Sequence, residues 1–376
     1  MKKITAIALL LCMLFALAAC GQTAPAQQEQ PAEQPVEEAP AEQPAEQPVE
    51  EAPVEEAPVE ETPVEEPAAE AEYKLGMGIV VSTASSNSEK HNAQVDATVA
   101  AVVLDAEGKI VACRIDVAQN KMDVTDGLVD TEKTFKSKVE LEDAYNMKGA
   151  SAIGLEWFEQ AANFEAYVIG KTAEEVAAIE TVQEGSHIVA VDEELHASVS
   201  MSIADFMGAI AKACADEQGM SFTAAEPFTV GLACISNAKE SKAATAEEDG
   251  SANLYTEFAA VVLDGEGKIL ADLQDAIQPK IAINAAGEIG EAKFNGTKRE
   301  LKEDYGMSKI GAVEWYIQAA NFEQAMLEKT AEEVTALETV EDGSHVVFVD
   351  EELHASVSIS VNGMIAVLLR AMEHAR

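Results

Sequence analysis

Apolar and polar positions fall into three regimes along the chain. The first is an apolar run from Ile4 to Leu17, behind the basic pair Lys2 and Lys3. The second, Gly21 to about Glu72, has no period. It repeats Pro, Glu, Ala, Gln and Val in units such as Glu-Gln-Pro-Ala and Val-Glu-Glu-Ala-Pro. The third alternates strand-like and helix-like spacing. Gly78–Val81 predicts a short strand, followed by a polar loop around Ser85 to Asn92. Val95–Leu104 and Lys109–Val117 are apolar runs rich in β-branched residues. They flank Asp105-Ala106-Glu107-Gly108, which predicts a hairpin with glycine at the positive-φ turn position. Trp157, Ala161, Phe164 and Val168 recur at three- and four-residue steps and predict a helix over 153–169. Thr172 and Glu175 form a capping-box pattern that opens a short helix through Ile179. After the apolar run Ile188–Val191, a last helix is expected from Ile203 to Cys214, N-capped by Ser202.

The third regime occurs twice. Val102-Val103-Leu104-Asp105 with Glu107-Gly108-Lys109-Ile110 returns as Val261-Val262-Leu263-Asp264 with Glu266-Gly267-Lys268-Ile269. Glu156-Trp157 and Gln160-Ala-Ala-Asn-Phe-Glu165 return as Glu314-Trp315 and Gln318-Ala-Ala-Asn-Phe-Glu323. Val191–Ser200 returns unchanged as Val349–Ser358. A period this long is a duplicated domain and not a solenoid unit. The expectation is an α+β fold in two homologous domains, 73–220 and 227–376, with a boundary near Pro227. Each would be a small antiparallel sheet with packed helices, large enough for its own core.

The two N-terminal regimes set the address. A basic start, a short apolar run and a small-residue ending read as a secretory signal peptide over residues 1–20, too short to persist as a membrane span. Leu17-Ala18-Ala19-Cys20 resembles the lipobox of bacterial lipoproteins. That resemblance implies cleavage before Cys20 and a lipid on its thiol, which would hold the protein to the outer face of the cell membrane. Ten of the 12 prolines fall in 21–72, a stretch with many glutamates and no Lys or Arg. Such a segment cannot bury enough apolar surface to offset its ordering entropy, so a disordered, extended linker is expected. Some fifty residues at about 3.1 Å each would reach on the order of 150 Å. A net charge of −43 excludes nucleic acid as a partner, because phosphates would be repelled.

Candidate chemistry is sparse. The chain has no GxSxG, HExxH, Walker or GxGxxG motif. His187/His345 and His196/His354 occupy paired positions, His91 and His374 stand apart, and no pair has zinc-site spacing. The acidic loop Asp123–Asp130 lacks the EF-hand order of ligands and reads as solvated loop, so no metal is expected. Cys113, Cys214 and Cys234 are too few and too scattered for a disulfide framework and read as small buried residues.

One segment stands out, Asp192-Glu-Glu-Leu195-His196-Ala197-Ser198-Val199-Ser200 and its copy Asp350–Ser358. It resembles the flavinylation motif of bacterial FMN-binding domains, in which a flavin transferase esterifies a hydroxyl with the phosphate of FMN. Asp192, Ala197, Ser198 and Ser200 fall at matching positions, as do Asp350, Ala355, Ser356 and Ser358. The resemblance implies FMN on Ser198 and Ser356. Leu195 and Leu353 stand where that family has Ser or Thr, and His196 and His354 where it has Gly. A hydroxyl just before a helix would suit a phosphate through the free N–H groups there. The alternative reading makes Ser198, Ser200 and Ser202 the polar face of a half-buried strand. Both repeats also resemble a group of tandem-domain lipoproteins of anaerobic Gram-positive bacteria. The shared pattern is Thr297-Lys298-Arg299-Glu300-Leu301, Tyr305, Met307 and Glu314-Trp315-Tyr316. In the first copy its start has drifted to Phe135-Lys136-Ser137-Lys138-Val139-Glu140-Leu141. Trp157 and Trp315 read as core. Two functions follow as expectations. One is an extracellular electron carrier with FMN on each domain, served by a membrane redox partner and a flavin transferase, with no catalytic constellation of its own. The other is a cofactor-free surface binding or adhesion lipoprotein.

Overall fold

A computed structural model describes residues 70–225 and 227–376, which belong to one compact unit. The signal peptide, Cys20 and the linker up to residue 69 lie outside the described residues. The fold is α+β, as expected. The first repeat begins with β1 (Ala71–Ser82), β2 (Asn92–Leu104) and β3 (Ile110–Asp123), followed by α1 (Lys138–Leu141), α2 (Trp157–Val168) and α3 (Ala173–Ala177). A detached hairpin, β4 (Thr181–Glu184) and β5 (His187–Ala190), leads to α4 (Glu193–Ser198), α5 (Ala204–Cys214) and β6 (Met220–Ala224). The second repeat runs β7 (Thr229–Asn237), β8 (Gly250–Asn253), β9 (Tyr255–Leu263), β10 (Ile269–Ile277), β11 (Lys280–Ile283) and β12 (Ile289–Lys293). It continues with α6 (Lys298–Leu301), α7 (Trp315–Met326), α8 (Ala331–Thr335), β13 (Thr339–Asp342), β14 (His345–Phe348), α9 (Glu351–Ser356) and α10 (Asn362–Glu373).

The main sheets are antiparallel, with orders β3-β2-β1-β6 and β10-β9-β7, and β12-β11-β8 forms a small third sheet. The expected hairpin forms with Val102 opposite Cys113, and Gly108 at φ +77° closes its turn against Asp105. β1 starts at Ala71, inside the stretch assigned to the linker. β6 extends the first sheet to Ala224, four residues past the expected end of that repeat, by pairing Phe222 with Tyr73.

Alternation along the strands explains the layering. Val95, Ala97, Val99, Ala101 and Val103 of β2 share a core with Phe258, Ala260 and Val262 of β9, so the two sheets face each other across a common interior. Ala100 and Val102 instead pack with Trp157, Phe164, Phe206 and Ile210 under the first helix layer. Ala259 and Val261 do the same with Trp315, Phe322 and Leu368 under the second. The result is four layers, helix–sheet–sheet–helix. Each repeat has a helix-side core of its own and shares a third with the other. A strand stretch covered on both faces must be apolar, which is why Val99–Leu104 of β2 and Phe258–Leu263 of β9 read as continuous runs.

The last helix of each repeat lies very close to its first strand. A Cβ on Gly76 would sit 2.0 Å from the Ala213 carbonyl oxygen, and one on Gly231 would sit 1.9 Å from that of Ala371. Only glycine permits that approach. Pseudo-symmetric ion pairs bridge the repeats: Lys212 Nζ meets Glu300 Oε1 at 2.6 Å, and the equivalent Arg370 meets Glu140.

Candidate functional site

The recurrent serine segment starts as a short helix and contains no strand, yet Val199, Met201 and Ile203 are buried and Ser198, Ser200 and Ser202 half-buried, which is the alternation the second reading expected. Asp192 N-caps α4 by accepting from Leu195 N at 2.8 Å, and Asp350 caps α9 by accepting from Leu353 N at 2.9 Å. Leu195 is buried and Ala197 exposed, while the His196 ring nitrogen Nδ1 bonds the Ala190 carbonyl at 3.1 Å. In the second copy Ala355 is exposed and His354 half-buried. Ser198 and Ser356 are half-buried at the ends of these short helices. Their hydroxyls donate to the Leu195 and Leu353 carbonyls, each at 3.0 Å. Asn163 and Asn321 donate to the serine carbonyls at 3.0 and 2.9 Å. The buried Gln160 and Gln318 accept from Ser200 N and Ser358 N at 2.9 and 2.7 Å. Ser202 is not the cap of α5, because its hydroxyl accepts from Ile188 N at 3.1 Å and Ile203 occupies the cap position. Ser360 does the same for Val346 N at 3.0 Å. The repeated Gln-Ala-Ala-Asn therefore serves as the clamp for the repeated Asp-Glu-Glu-Leu-His-Ala-Ser-Val-Ser.

This geometry does not fit a phosphate ester. Ser198 stands at the C-terminal end of α4, where backbone carbonyls gather, while the free N–H groups lie at the other end under Asp192. Glu193 and Glu194 add negative charge to the same short helix. A cavity of about 380 Å³ lined by Tyr167, Lys171, Ile179 and Asp192 opens nearby, and Ser198 does not line it.

A different constellation was missed by reading the sequence. Lys298 of the shared Thr-Lys-x-Glu-Leu pattern is 9% exposed, and its ammonium lies 4.9 Å from the Tyr255 ring, 5.1 Å from Tyr305 and 5.2 Å from Trp315. It also donates to the Tyr255 hydroxyl at 3.2 Å. Burial pushes the amine down to about 8, opposed by Glu257. In the first repeat, Lys138 lies 4.9 Å from Tyr145 and 5.2 Å from Trp157. Both tryptophans are buried, as read, and the lysine was the unread part. The signal was present in the spacing of the lysine, tyrosine and tryptophan shared by both copies.

The carboxylate beside each lysine comes from a different place. Counting back from Val-Val-Leu-Asp, Thr98 of β2 is equivalent to Glu257 of β9. Asp205 of α5 is equivalent to Gly363 of α10. In the second repeat Glu257 supplies the acid and lies over the first turn of α10, where a Cβ on Gly363 would be 2.1 Å from its Oε2. In the first repeat Asp205 supplies it from the helix. Partial burial and neighbouring Asp96 raise the Asp205 carboxyl, and Lys138 lowers it.

A second exchange joins the repeats. Glu165 and Glu323, in equivalent positions, accept from strand N–H groups of Ile115 and Gln274, each at 2.8 Å. Glu323 pairs with Arg299 at 2.7 Å, and Arg299 also donates to the Gln218 carbonyl of the first repeat at 2.6 Å. Glu165 instead pairs with Arg376 at 2.8 Å and lies 3.8 Å from Arg114, which holds the carbonyl oxygens of Val230 and Arg376. Where one repeat has Arg114 and Val139, the other has Leu273 and Arg299, so arginine and aliphatic residue have changed places. Burial raises Glu323 to about 7, with Arg299 opposing, and raises Asp275 to about 6. A cleft of about 350 Å³ lined by Lys212, Asp216, Asp275 and Arg299 opens where the repeats meet.

Among the described residues, no three His, Cys, Asp or Glu side chains are placed to share a metal, and the acidic loop is no exception. Cys113 and Cys234 are buried and Cys214 half-buried, all as free thiols. No helix among the described residues is long and apolar enough to cross a membrane.

No family model matches the chain, and no solved structure does. A stretch of 125 residues is 33% identical to a chlorophenol reductase of Desulfitobacterium hafniense, over 29% of this chain and 38% of that protein. The chain thus spans under two fifths of the length of the curated relative it matches.

Proposed function

We propose that the chain is a lipoprotein held to the outer face of the cell membrane through Cys20, whose two-repeat body acts as a binding module without covalent flavin. The observation that carries this reading is the complete internal use of both serine segments. Each hydroxyl, capping carboxylate and backbone group that the flavin motif would need is spent on α2, α7 or the short helix itself. Intact-mass measurement of the chain co-expressed with a flavin transferase tests the reading. A lipid adduct confined to the N-terminal cysteine, with no gain of FMN, is the expected result.

The second reading is an extracellular electron carrier with FMN on Ser198 and Ser356. Two observations favour it. Ser198 and Ser356 are only half-buried, and the partial likeness is to a protein named as a chlorophenol reductase. A mass gain of one FMN per repeat, lost in the Ser198→Ala, Ser356→Ala double variant, would establish that reading and overturn the first.

A further inference from the structure

The two repeats carry the same lysine-and-aromatic arrangement, but the tyrosine that covers the lysine in the second has no aromatic counterpart in the first. In the second repeat, the Tyr255 phenol closes the site. Its ring lies beside the Lys298 ammonium, its hydroxyl accepts from Lys298 Nζ at 3.2 Å, and it faces the Glu257 carboxylate. Counted from the shared Val-Val-Leu-Asp, the residue equivalent to Tyr255 is Asp96. Its neighbours in the sheet confirm the equivalence, since Ala97 lies opposite Ala118 as Thr256 lies opposite Ile277. Asp96 has no ring to offer, and Gln94 holds its carboxylate to one side at 2.8 and 2.9 Å. Lys298 is 9% exposed, whereas Lys138 is half-buried and Asp205 open to solvent; the two tryptophans beneath them are buried alike, Trp157 at 3% and Trp315 at 5%.

We propose that the cluster of Lys138, Tyr145, Trp157, Asp96 and Asp205 leaves a notch that binds a small phenol, which would take the place that the Tyr255 side chain takes in the second repeat. The chemistry that would recognise it is already displayed by that side chain. An ammonium beside the ring favours its π face, and the same ammonium donates to the phenolic oxygen. A carboxylate at the start of the last helix accepts the phenolic proton. That carboxylate is retained in both repeats although it has moved from strand to helix, from Glu257 to Asp205. Aliphatic rings lack the π face, and benzene derivatives without a hydroxyl lack the second contact, so both should bind more weakly. The site stands independently of the function proposed above, because a phenol could be cargo for a binding module or for a carrier.

The test uses para-cresol, which is the tyrosine side chain as a free molecule. With about eight heavy atoms, a dissociation constant on the order of 1 mM is expected. Binding to the intact chain is followed by isothermal titration and by the indole N–H resonances, where Trp157 should shift and Trp315 should not. One equivalent should bind. Toluene should bind at least about tenfold more weakly, which is about 1.4 kcal/mol. Asp96→Tyr should fill the notch and abolish binding, and Tyr255→Asp should open a second notch and raise the stoichiometry to two. Lys138→Met, on the half-exposed lysine, provides a check if either of those variants fails to fold, and should weaken binding at least about tenfold. Failure of para-cresol to shift the Trp157 resonance at 10 mM, on the order of ten times the expected constant, would overturn the proposal. So would an unchanged affinity in both Lys138→Met and Asp96→Tyr.

Discussion

Arg299→Ala should damage this protein more than any exposed substitution, and in a way that depends on pH. Arg299 is 6% exposed, and its guanidinium holds Glu323, itself 3% exposed, together with the Gln218 carbonyl of the other repeat. Deleting one partner of a buried pair leaves an uncompensated charge and costs about 3–5 kcal/mol. For a unit of this size that corresponds to a fall in melting temperature of about 10 °C. The pH dependence follows from Glu323, which burial raises to about 7 in the folded chain against an ordinary value near ~4.3 when unfolded. Between those values the folded chain keeps a proton that the unfolded chain releases, so stability falls as pH rises through the window and levels off above it. Arg299 opposes the rise. Without it the folded value climbs further, and the decline continues beyond pH 7. The deficit of the variant against the wild-type chain should therefore be smallest at pH 5, where Glu323 is protonated in both, and largest at pH 8. Urea unfolding followed by tryptophan fluorescence at pH 5, 6.5 and 8 measures it. A deficit under about 1 kcal/mol at pH 8 would place the pair among weak surface contacts and refute the reasoning. An equal deficit at pH 5 and 8 would refute the part assigned to Glu323.

Two further outcomes are expected. Gly76→Ala and Gly231→Ala should each cost about 3 kcal/mol or more in thermal unfolding, because the new Cβ would overlap a helix carbonyl. Gly265→Ala, which meets nothing within 4 Å, should cost under about 1 kcal/mol. Lys298→Met should flatten the alkaline stability profile. Burial holds the amine near 8, so between pH 8 and the ordinary lysine value the unfolded chain binds more protons and stability rises with pH. Chemical denaturation at pH 8 and 10.5 should show that rise in the wild-type chain and not in the variant.

Much of the fold was legible in local pattern. The β2–β3 hairpin, the helix over Trp157–Val168, the capping box at Thr172 and the final helix all appear within a few residues of their expected places. Each is specified by residues close in the chain: a turn glycine, a cap, or an apolar stripe. The cap of α5 was misread for a related reason. Ser202 has the right side chain in the right place, but Ile188 N, brought up by β5, takes its hydroxyl first. The same competition acts on the serine motif, which Gln160 and Asn163 reach from a helix 35 to 40 residues away.

The sequence alone determined the duplication and the order and type of the main strands and helices of each repeat. Periodicity and spacing survive duplication, and they act over a few residues. The tertiary structure decided what the polar residues are for. It showed that an arginine on β3 and one on α6 do one job, and that a carboxylate may stand on a strand or on a helix beside the same lysine. Such exchanges are invisible in one dimension, because a buried charge needs only a partner within hydrogen-bond reach, and proximity in space does not record which segment supplied it.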